Sequence, residues 1–279
     1  MHEKPLTGGR NASEVVRVGD TVRRARDTGS ASAARLLGYL EASGYPYAPR
    51  YLGVDDRGRD ILTYIPGRTT DHPSQRADGA YARGAVMLRE LHDVTAGHPL
   101  AAGRECVLHG DPGPFNAIFR DGTPVAFIDW TSCRPGDRLD DLGYMAWTWC
   151  IQAEGNVPVD AQAAHLRELR NAYGPVPPEA LIDAMTGSQD RIVRHSEQAV
   201  QGSRDPAPRR AWADEAIRWA TADKELIRAN EQTLLAALRA LGGIGSRAVP
   251  APGKPAVPRS LLRSSSASCC YLDPRRGGP

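Results

Sequence analysis

Several features that would place a protein in a special class are missing from this chain of 279 residues. No apolar run approaches the roughly 20 residues of a membrane-spanning helix, and the N-terminus lacks the basic-then-apolar pattern of a signal peptide. The five cysteines fit neither a CxxC zinc site nor a disulfide framework. We therefore expect a cytoplasmic protein in a reducing compartment, without a membrane segment.

The body of the chain also lacks a strong charge of one sign. The formal net charge is +2, but residues 242–279 hold six basic side chains against one acidic side chain, a local +5 that leaves −3 for the rest. This tail is rich in Pro, Gly, Ser and Arg and has no apolar periodicity, so we expect it to be disordered. A basic tail by itself is weak evidence for nucleic-acid binding, and we expect no nucleic-acid partner.

The first hundred residues alternate short β-prone runs with one helical stretch. Val15–Val18 and Thr21–Arg24 flank a Gly-Asp turn, a helix is predicted from about residue 31 to 42, and a second hairpin turns at residues 55–58. This order predicts a small antiparallel sheet with one helix on it. From about residue 75 the periodicity becomes mainly helical, and the last helix is predicted to run from Arg209 to Leu241. The fold class is therefore α+β, with a β-rich lobe before a helical lobe.

One window of the sequence collects polar residues between apolar segments and turns. HGDPGPFN, residues 109–116, and FIDW, residues 127–130, contain Asp111, Asn116 and Asp129. Taken singly, each residue fits a turn former or a cap. Together, their spacing of D-x4-N and then x12-D matches the base and the metal ligands of kinase-type phosphoryl transfer. Mg²⁺ takes oxygen ligands, which a strand-end carboxylate and a loop amide supply, and a strand–loop–strand hairpin would bring the three side chains together.

The window is accompanied by LRELH at residues 88–92, LTYIPG at 62–67 and PGDRLDDL at 135–142. With these motifs the chain resembles the aminoglycoside phosphotransferase family, from about Leu6 to Leu241. The resemblance implies a bilobal protein-kinase-like fold: a nucleotide-binding lobe at residues 1–66, a helical lobe with the catalytic loop at 67–241, and the disordered tail at 242–279. It also implies transfer of the γ-phosphoryl group of ATP or GTP to a hydroxyl of a small molecule, with Mg²⁺.

The same resemblance assigns roles within the window. Asp111 would be the general base, or the carboxylate that orients the acceptor hydroxyl. Asn116 and Asp129 would hold Mg²⁺ on the nucleotide phosphates. Neither a Cys nor a Ser nucleophile is implied.

Three neighbouring residues are expected to support the loop. His109 would brace it from the core. Asp137 and Asp141 match downstream carboxylates of the family, and we expect them to hold the catalytic loop or to cap the next helix. These are structural roles, without contact to the substrate.

The nucleotide is expected to contact the N-terminal lobe and the segment between the lobes. Gly8 and Gly9 lack side chains, so backbone there can approach a phosphate closely, although a plain turn explains the pair equally well. The stretch YIPGR resembles the segment that joins the lobes in the family, and the backbone of Tyr64 and Ile65 would pair with adenine.

The N-terminal lobe departs from the family at a pair of charged residues. The expected strand Lys is absent, and Arg24 is the nearest cation on the same strand face as Val22. Arg23, on the opposite face, is expected to meet solvent. The Glu expected on the following helix is replaced by Ser32 or Ala33, because Glu41 lies two turns farther along. The catalytic loop is therefore complete. In contrast, both the Lys and the Glu of the charged pair that would fix the phosphates, the phosphate clamp, are replaced.

The residues leave the acceptor and the functional class open. Residues 151–240 hold 13 acidic against 11 basic side chains. This small acidic excess would not attract a polycation strongly, so a neutral sugar, an amino alcohol or another small metabolite fits equally well. The altered clamp also suits a nucleotide-binding pseudokinase with a regulatory role. A third alternative is a helical interaction module in which residues 109–116 are only a loop.

Overall fold

The computed structural model describes residues 3–6, 15–201 and 206–240. The described residues belong to one compact unit. Gly8, Gly9 and the tail predicted to be disordered lie outside the described residues. Among the described residues, no helix combines the length and the apolar character needed to cross a membrane.

A five-stranded antiparallel sheet forms the N-terminal part, in the order β1-β2-β3-β5-β4. Gly19 and Gly58 have φ angles of 60° and 74°, which suit glycine, and each lies in the turn of one of the two predicted hairpins. The strands are β1 Lys4–Pro5, β2 Val15–Val18, β3 Thr21–Arg24, β4 Tyr51–Val54 and β5 Asp60–Thr63. Both predicted hairpins are therefore present, and β3 pairs with β5 between them.

Helix α1, Ser30–Ala42, packs its apolar stripe into the core of the protein. Leu36, Leu37 and Leu40, which lie within the predicted helix, are each at most 2% exposed. The helix begins directly after Gly29 and follows β3 by a short turn. Its position relative to β3 decides what surrounds the side chain of Arg24.

The described residues after β5 are mainly helical, with two small antiparallel strand pairs that carry the loop at residues 109–116. The core contains the fully buried Trp147, Trp149, Phe119 and Phe127. The elements are α2 Ala80–Thr95, β6 Cys106–Leu108, β7 Ala117–Arg120, β8 Thr123–Phe127, β9 Arg134–Gly136, α3 Arg138–Cys150, α4 Val159–Tyr173, α5 Pro178–Gln201, α6 Pro206–Ala229 and α7 Glu231–Arg239.

The prediction of one unbroken last helix is wrong. Helix α6 ends at Ala229, and α7 begins at Glu231. Asn230 lies between them with φ −121°, and its side-chain amide donates to the carbonyl of Leu226 at 2.9 Å. Such bonding to a preceding carbonyl competes with the regular helix. After the break, α7 packs against α4. Hydrophobic periodicity alone does not predict such a break.

The expectation that Arg23 meets solvent is also wrong. Its side chain is only 15% exposed, and its Nε lies 3.6 Å from Oδ2 of Asp55. Its Nη1 also donates to Oγ1 of Thr21 at 2.6 Å. The reason is that the turn after β4 brings a carboxylate over this face of the sheet, so the face opposite Val22 is covered.

Candidate active site

The loop at residues 109–116 is held between buried strands. All of β6 is buried, and β9 pairs with it from Cys106 opposite Gly136 to Leu108 opposite Arg134. At the other end, a 3₁₀ turn at Pro114–Asn116 leads into β7, which pairs with β8. The loop therefore enters and leaves through paired strands, which fix both of its ends.

The β7–β8 pair also places the second carboxylate beside the loop. The N–H of Ile128 donates to the carbonyl of Asn116 at 2.8 Å, so the pairing continues past the end of β8. Asp129 follows with φ 62° and ψ 65°, a left-handed conformation in which few residues other than glycine, Asn and Asp are at ease. Asp129 is therefore next to a residue that is hydrogen-bonded to Asn116, as the predicted hairpin requires.

Asp141 in the first turn of α3 clamps the start of the loop. Its Oδ2 accepts the N–H of His109 at 2.6 Å, and its Oδ1 accepts the N–H of Gly110 at 3.0 Å. Oδ2 also lies 3.3 Å from Nε2 of His92. Burial opposes the ionised form, but these hydrogen bonds hold the pKa of Asp141 below its usual value. The buried carboxylate is 1% exposed, and its role is to hold the loop.

The other downstream carboxylate, Asp137, has a different position. It precedes α3 at the cap position, but its side chain makes no capping hydrogen bond. It forms an exposed ion pair with Arg104 instead. Asp141 therefore has the first expected role, because it holds the loop. The side chain of Asp137 does not have the second, because it does not cap the helix.

His109 joins the loop to the segment that carries Asp129. It is fully buried, its Nδ1 accepts the N–H of Asp111 at 3.3 Å, and its Nε2 lies 3.0 Å from the carbonyl of Ile128. Burial lowers the pKa of His109, which favours the neutral ring. A neutral ring with the proton on Nε2 satisfies both contacts. The imidazole is thus a brace between the two segments.

The three predicted site residues share this frame. The side-chain amide of Asn116 donates from Nδ2 to the carbonyl of Asp111 at 3.1 Å, which leaves the amide oxygen for another partner. Asn116 is buried, Asp111 is half-buried, and the carboxylate of Asp129 is 48% exposed. One amide oxygen and one accessible carboxylate suit Mg²⁺, which commonly takes few protein ligands beside substrate phosphates. The donor set at this position therefore fits the metal.

Arg24 from β3 reaches the same position. Its Nη1 lies 2.8 Å from Oδ1 of Asp129, and its Nη2 donates to Oγ1 of Thr131 at 2.8 Å. Nη2 also lies 3.2 Å from Oδ2 of Asp27. The cation chosen from the strand pattern thus lies beside the predicted metal ligand, and its partners here are side chains of the protein.

One of the backbone groups predicted to pair with adenine is already hydrogen-bonded within the protein. The N–H of Tyr64 donates to the carbonyl of Asp20 at 2.8 Å, and the guanidinium of Arg17 lies 3.8 Å from the centre of the Tyr64 ring. Pairing of adenine with the Tyr64 N–H is therefore disfavoured, because that group is already bonded within the sheet. Ile65 lines an open cavity of about 720 Å³ together with Thr63, and its contact with adenine stays a prediction.

Sequence reasoning missed several residues that support the site. His92 is the last residue of LRELH and had no assigned role, yet it lies between Asp141 and Tyr173, whose hydroxyl is 2.7 Å from Nδ1 of His92. A histidine at a core position of a helix was the available signal. Thr131 and Asp27, the other partners of Arg24, carried no signal, because nothing local predicts which cation they meet.

Comparison with known proteins identifies the family. The model of the phosphotransferase enzyme family matches residues 96–178, which include the loop and α3. Over 261 residues the chain is 30% identical to the trifolitoxin immunity protein of Rhizobium leguminosarum bv. trifolii, with 84% of this chain and 97% of that protein covered. The chain belongs to the aminoglycoside phosphotransferase family.

Solved structures agree with this assignment at the level of the fold. A choline/ethanolamine kinase family protein from Mesorhizobium loti superposes with a TM-score of 0.56 at 22% identity, covering 86% of this chain and 92% of that one. The gentamicin complex of APH(2")-IIa gives a TM-score of 0.51 at 15% identity, covering 85% and 92%. The predicted kinase-like α+β fold is therefore confirmed for this member of the aminoglycoside phosphotransferase family.

Proposed function

We propose that the protein transfers the γ-phosphoryl group of ATP or GTP to a hydroxyl of a small molecule, with Mg²⁺ as the metal ion. The observation that carries this proposal is the frame around the loop. Asp141 binds the backbone at His109 and Gly110, and the His109 ring binds the carbonyl of Ile128. A loop that only turned the chain would not need a buried carboxylate and a buried imidazole to fix it, since both are costly to bury.

The frame gives each residue a chemical task. Bound at Asn116 and Asp129, Mg²⁺ would neutralise charge on the triphosphate. Asp111 would orient the acceptor hydroxyl and receive its proton as the oxygen bonds to the γ-phosphorus and the bond to the β–γ bridging oxygen breaks. His109 and Asp141 keep Asp111 in position and touch no reacting atom. Positioning and charge neutralisation are the main contributions, as in other phosphoryl transfers.

The test is release of ADP from ATP in the presence of a panel of neutral sugars, amino alcohols and aminoglycosides. Asp111→Asn should lower the rate by roughly 100-fold or more, since general acid–base groups commonly contribute that much. Asp121→Asn is the matched control, because Asp121 is exposed in the β7–β8 turn of the same hairpin. Equal rates for the two variants would remove Asp111 from the mechanism.

A pseudokinase remains the alternative from the same fold, and the pairing of Arg24 with Asp129 favours it. Thermal shift with MgATP separates the classes. A shift without turnover on any acceptor supports the pseudokinase, whereas no shift supports the helical interaction module, in which residues 109–116 have no ligand. ADP release that depends on Asp111 supports the enzyme.

The relative's name motivates a second candidate function, immunity to a toxin. A phosphotransferase could provide immunity by modifying a hydroxyl of such a toxin, and a pseudokinase could do so by binding it. Expression in a trifolitoxin-sensitive strain tests this idea. Protection by the wild type and not by Asp111→Asn indicates modification, equal protection by both indicates binding, and protection by neither excludes this function.

A further inference from the structure

The guanidinium of Arg24 is already neutralised by the protein. Asp129 lies at 2.8 Å, Thr131 at 2.8 Å and Asp27 at 3.2 Å, and the Arg24 side chain is only 19% exposed. An arginine withdrawn this far from water requires charged or polar partners. Its principal partner is the carboxylate proposed to hold the metal ion. A guanidinium and a divalent cation repel each other when both are bound to one carboxylate, so each weakens the binding of the other.

Helix α1 explains why Arg24 has this partner. Ala33 is 7% exposed and lines a small cavity of about 20 Å³ together with Arg24 and Asp129. The other α1 residues that line this cavity are Ser30, Ala34 and Leu37, so α1 presents no carboxylate to it. Asp60, opposite Arg24 in the sheet, has its Oδ1 3.6 Å from Arg26 instead. Arg24 therefore turns to the loop after β8.

Close packing fixes this arrangement. A Cβ on Gly29, just before α1, would lie 1.9 Å from the carbonyl oxygen of Thr131. Asp27 accepts the N–H of Gly29 at 2.9 Å, which orders the turn before the helix. The N-terminal end of α1 therefore rests directly on the segment that follows Asp129. The ion pair joins two parts of the protein that are already in contact.

We infer that Arg24 is a charge-exchanging positioning residue. In the nucleotide-free protein it neutralises Asp129, and when a nucleoside triphosphate binds it moves to the phosphate oxygens and leaves Asp129 to a divalent cation. This inference rests on the proposed function. Because each ligand removes one partner of the same ion pair, nucleotide and metal bind with positive coupling, and the coupling is reciprocal.

The experiment measures binding and not turnover. Mn²⁺ alone is titrated and followed by the electron paramagnetic resonance of the free ion, and ATP alone is titrated with EDTA present. Arg24→Gln should bind Mn²⁺ roughly threefold to fivefold tighter than the wild type, the range expected for loss of a partly exposed ion pair. The same variant should bind metal-free ATP roughly tenfold more weakly, since a charge-assisted contact is lost. Arg23→Gln, the same change one residue away on the other strand face, should change neither.

A second variant, Asp129→Asn, keeps the inference testable if Arg24→Gln does not fold. Asp129→Asn frees Arg24, so it should bind metal-free ATP roughly threefold more tightly. Loss of repulsion between Asp129 and the phosphates would have the same sign, and the double variant separates the two causes. If the gain acts through Arg24, it disappears in the Arg24→Gln background. If the gain persists there, the exchange is refuted.

Further outcomes keep the inference separate from the proposed function. Unchanged or weaker Mn²⁺ binding by Arg24→Gln overturns the exchange, and ADP release by the wild type that depends on Asp111 then still supports the proposed function. Failure of the wild type to bind ATP with or without metal overturns both. Tighter Mn²⁺ binding by Arg24→Gln together with MgATP binding and no turnover supports the exchange and moves the protein to the pseudokinase class.

Discussion

The clamp formed by Asp141 gives the sharpest test of how this site is held. Asp141→Asn keeps the shape of the side chain but replaces one acceptor oxygen with an NH₂ donor. The two backbone N–H groups at His109 and Gly110 both require acceptors, at 2.6 Å and 3.0 Å. One of them must then face a donor in a site that is 1% exposed.

The magnitude follows from these contacts. We expect Asp141→Asn to lower the free energy of unfolding by about 3 kcal/mol, after allowance for removal of a buried charge. The variant loses one hydrogen bond to a charged group and buries one unsatisfied N–H. The pKa of Asp141 lies below its ordinary value of 3.8, so the carboxylate stabilises the fold fully above that pH. Its contribution is lost as the pH falls through the folded-state pKa.

Urea unfolding of both proteins at pH 7 measures the effect, and Asp140→Asn is the control. Asp140 precedes Asp141 but is 37% exposed and forms an exposed pair with Arg191 at 3.3 Å, so its loss should cost at most about 1 kcal/mol. Turnover should fall by roughly 100-fold in Asp141→Asn because Asp111 is displaced. If Asp141→Asn is as stable as Asp140→Asn, the clamp does not hold the loop as described.

Two further predictions concern the core and helix α1. Burial raises the pKa of Asp223 to about 6, although Trp147 donates to it at 2.8 Å. Because a raised folded-state pKa favours the fold only at low pH, the free energy of unfolding relative to Asp223→Asn should fall by about 2 kcal/mol as the pH rises from 4 to 7. Urea unfolding at both pH values checks this, and a constant difference between the proteins would contradict it. Gly29→Ala should lower the melting temperature, since its Cβ would lie 1.9 Å from a backbone oxygen. Within α1, a Cβ on Gly38 would meet no described atom within 4 Å, so Gly38→Ala should instead stabilise by about 0.5–1 kcal/mol. Equal melting temperatures for both variants would show that α1 does not rest on Thr131.

The sequence could predict the parts that depend on local chemistry. Turn residues at Gly19 and Gly58 predicted the hairpins, and the leucines of α1 predicted its buried stripe. The spacing of Asp111, Asn116 and Asp129 was enough to propose a site on a hairpin. Each of these signals operates over a few residues, or is a motif whose spacing reflects one supersecondary unit.

The same local signals failed where the outcome depended on distant neighbours. Alternation along β3 assigned Arg23 to solvent, but the turn after β4 covers that face with Asp55. Periodicity continued the last helix through Asn230, whereas the structure breaks it there and packs α7 against α4. Both errors arise because strand and helix periods describe one element and not what packs on it.

For this protein, the sequence alone determined the α+β class, the two N-terminal hairpins, the motif at residues 109–116 and the family it resembles. Tertiary structure alone decided that Asp141 accepts two backbone N–H groups and that Arg24 meets Asp129 across more than a hundred residues of chain. The physical reason is that a charge pairs with whichever opposite charge the fold brings within a few ångströms, and the energy of that pair depends on burial. Neither the distance between two such charges nor their burial follows from the local order of residues.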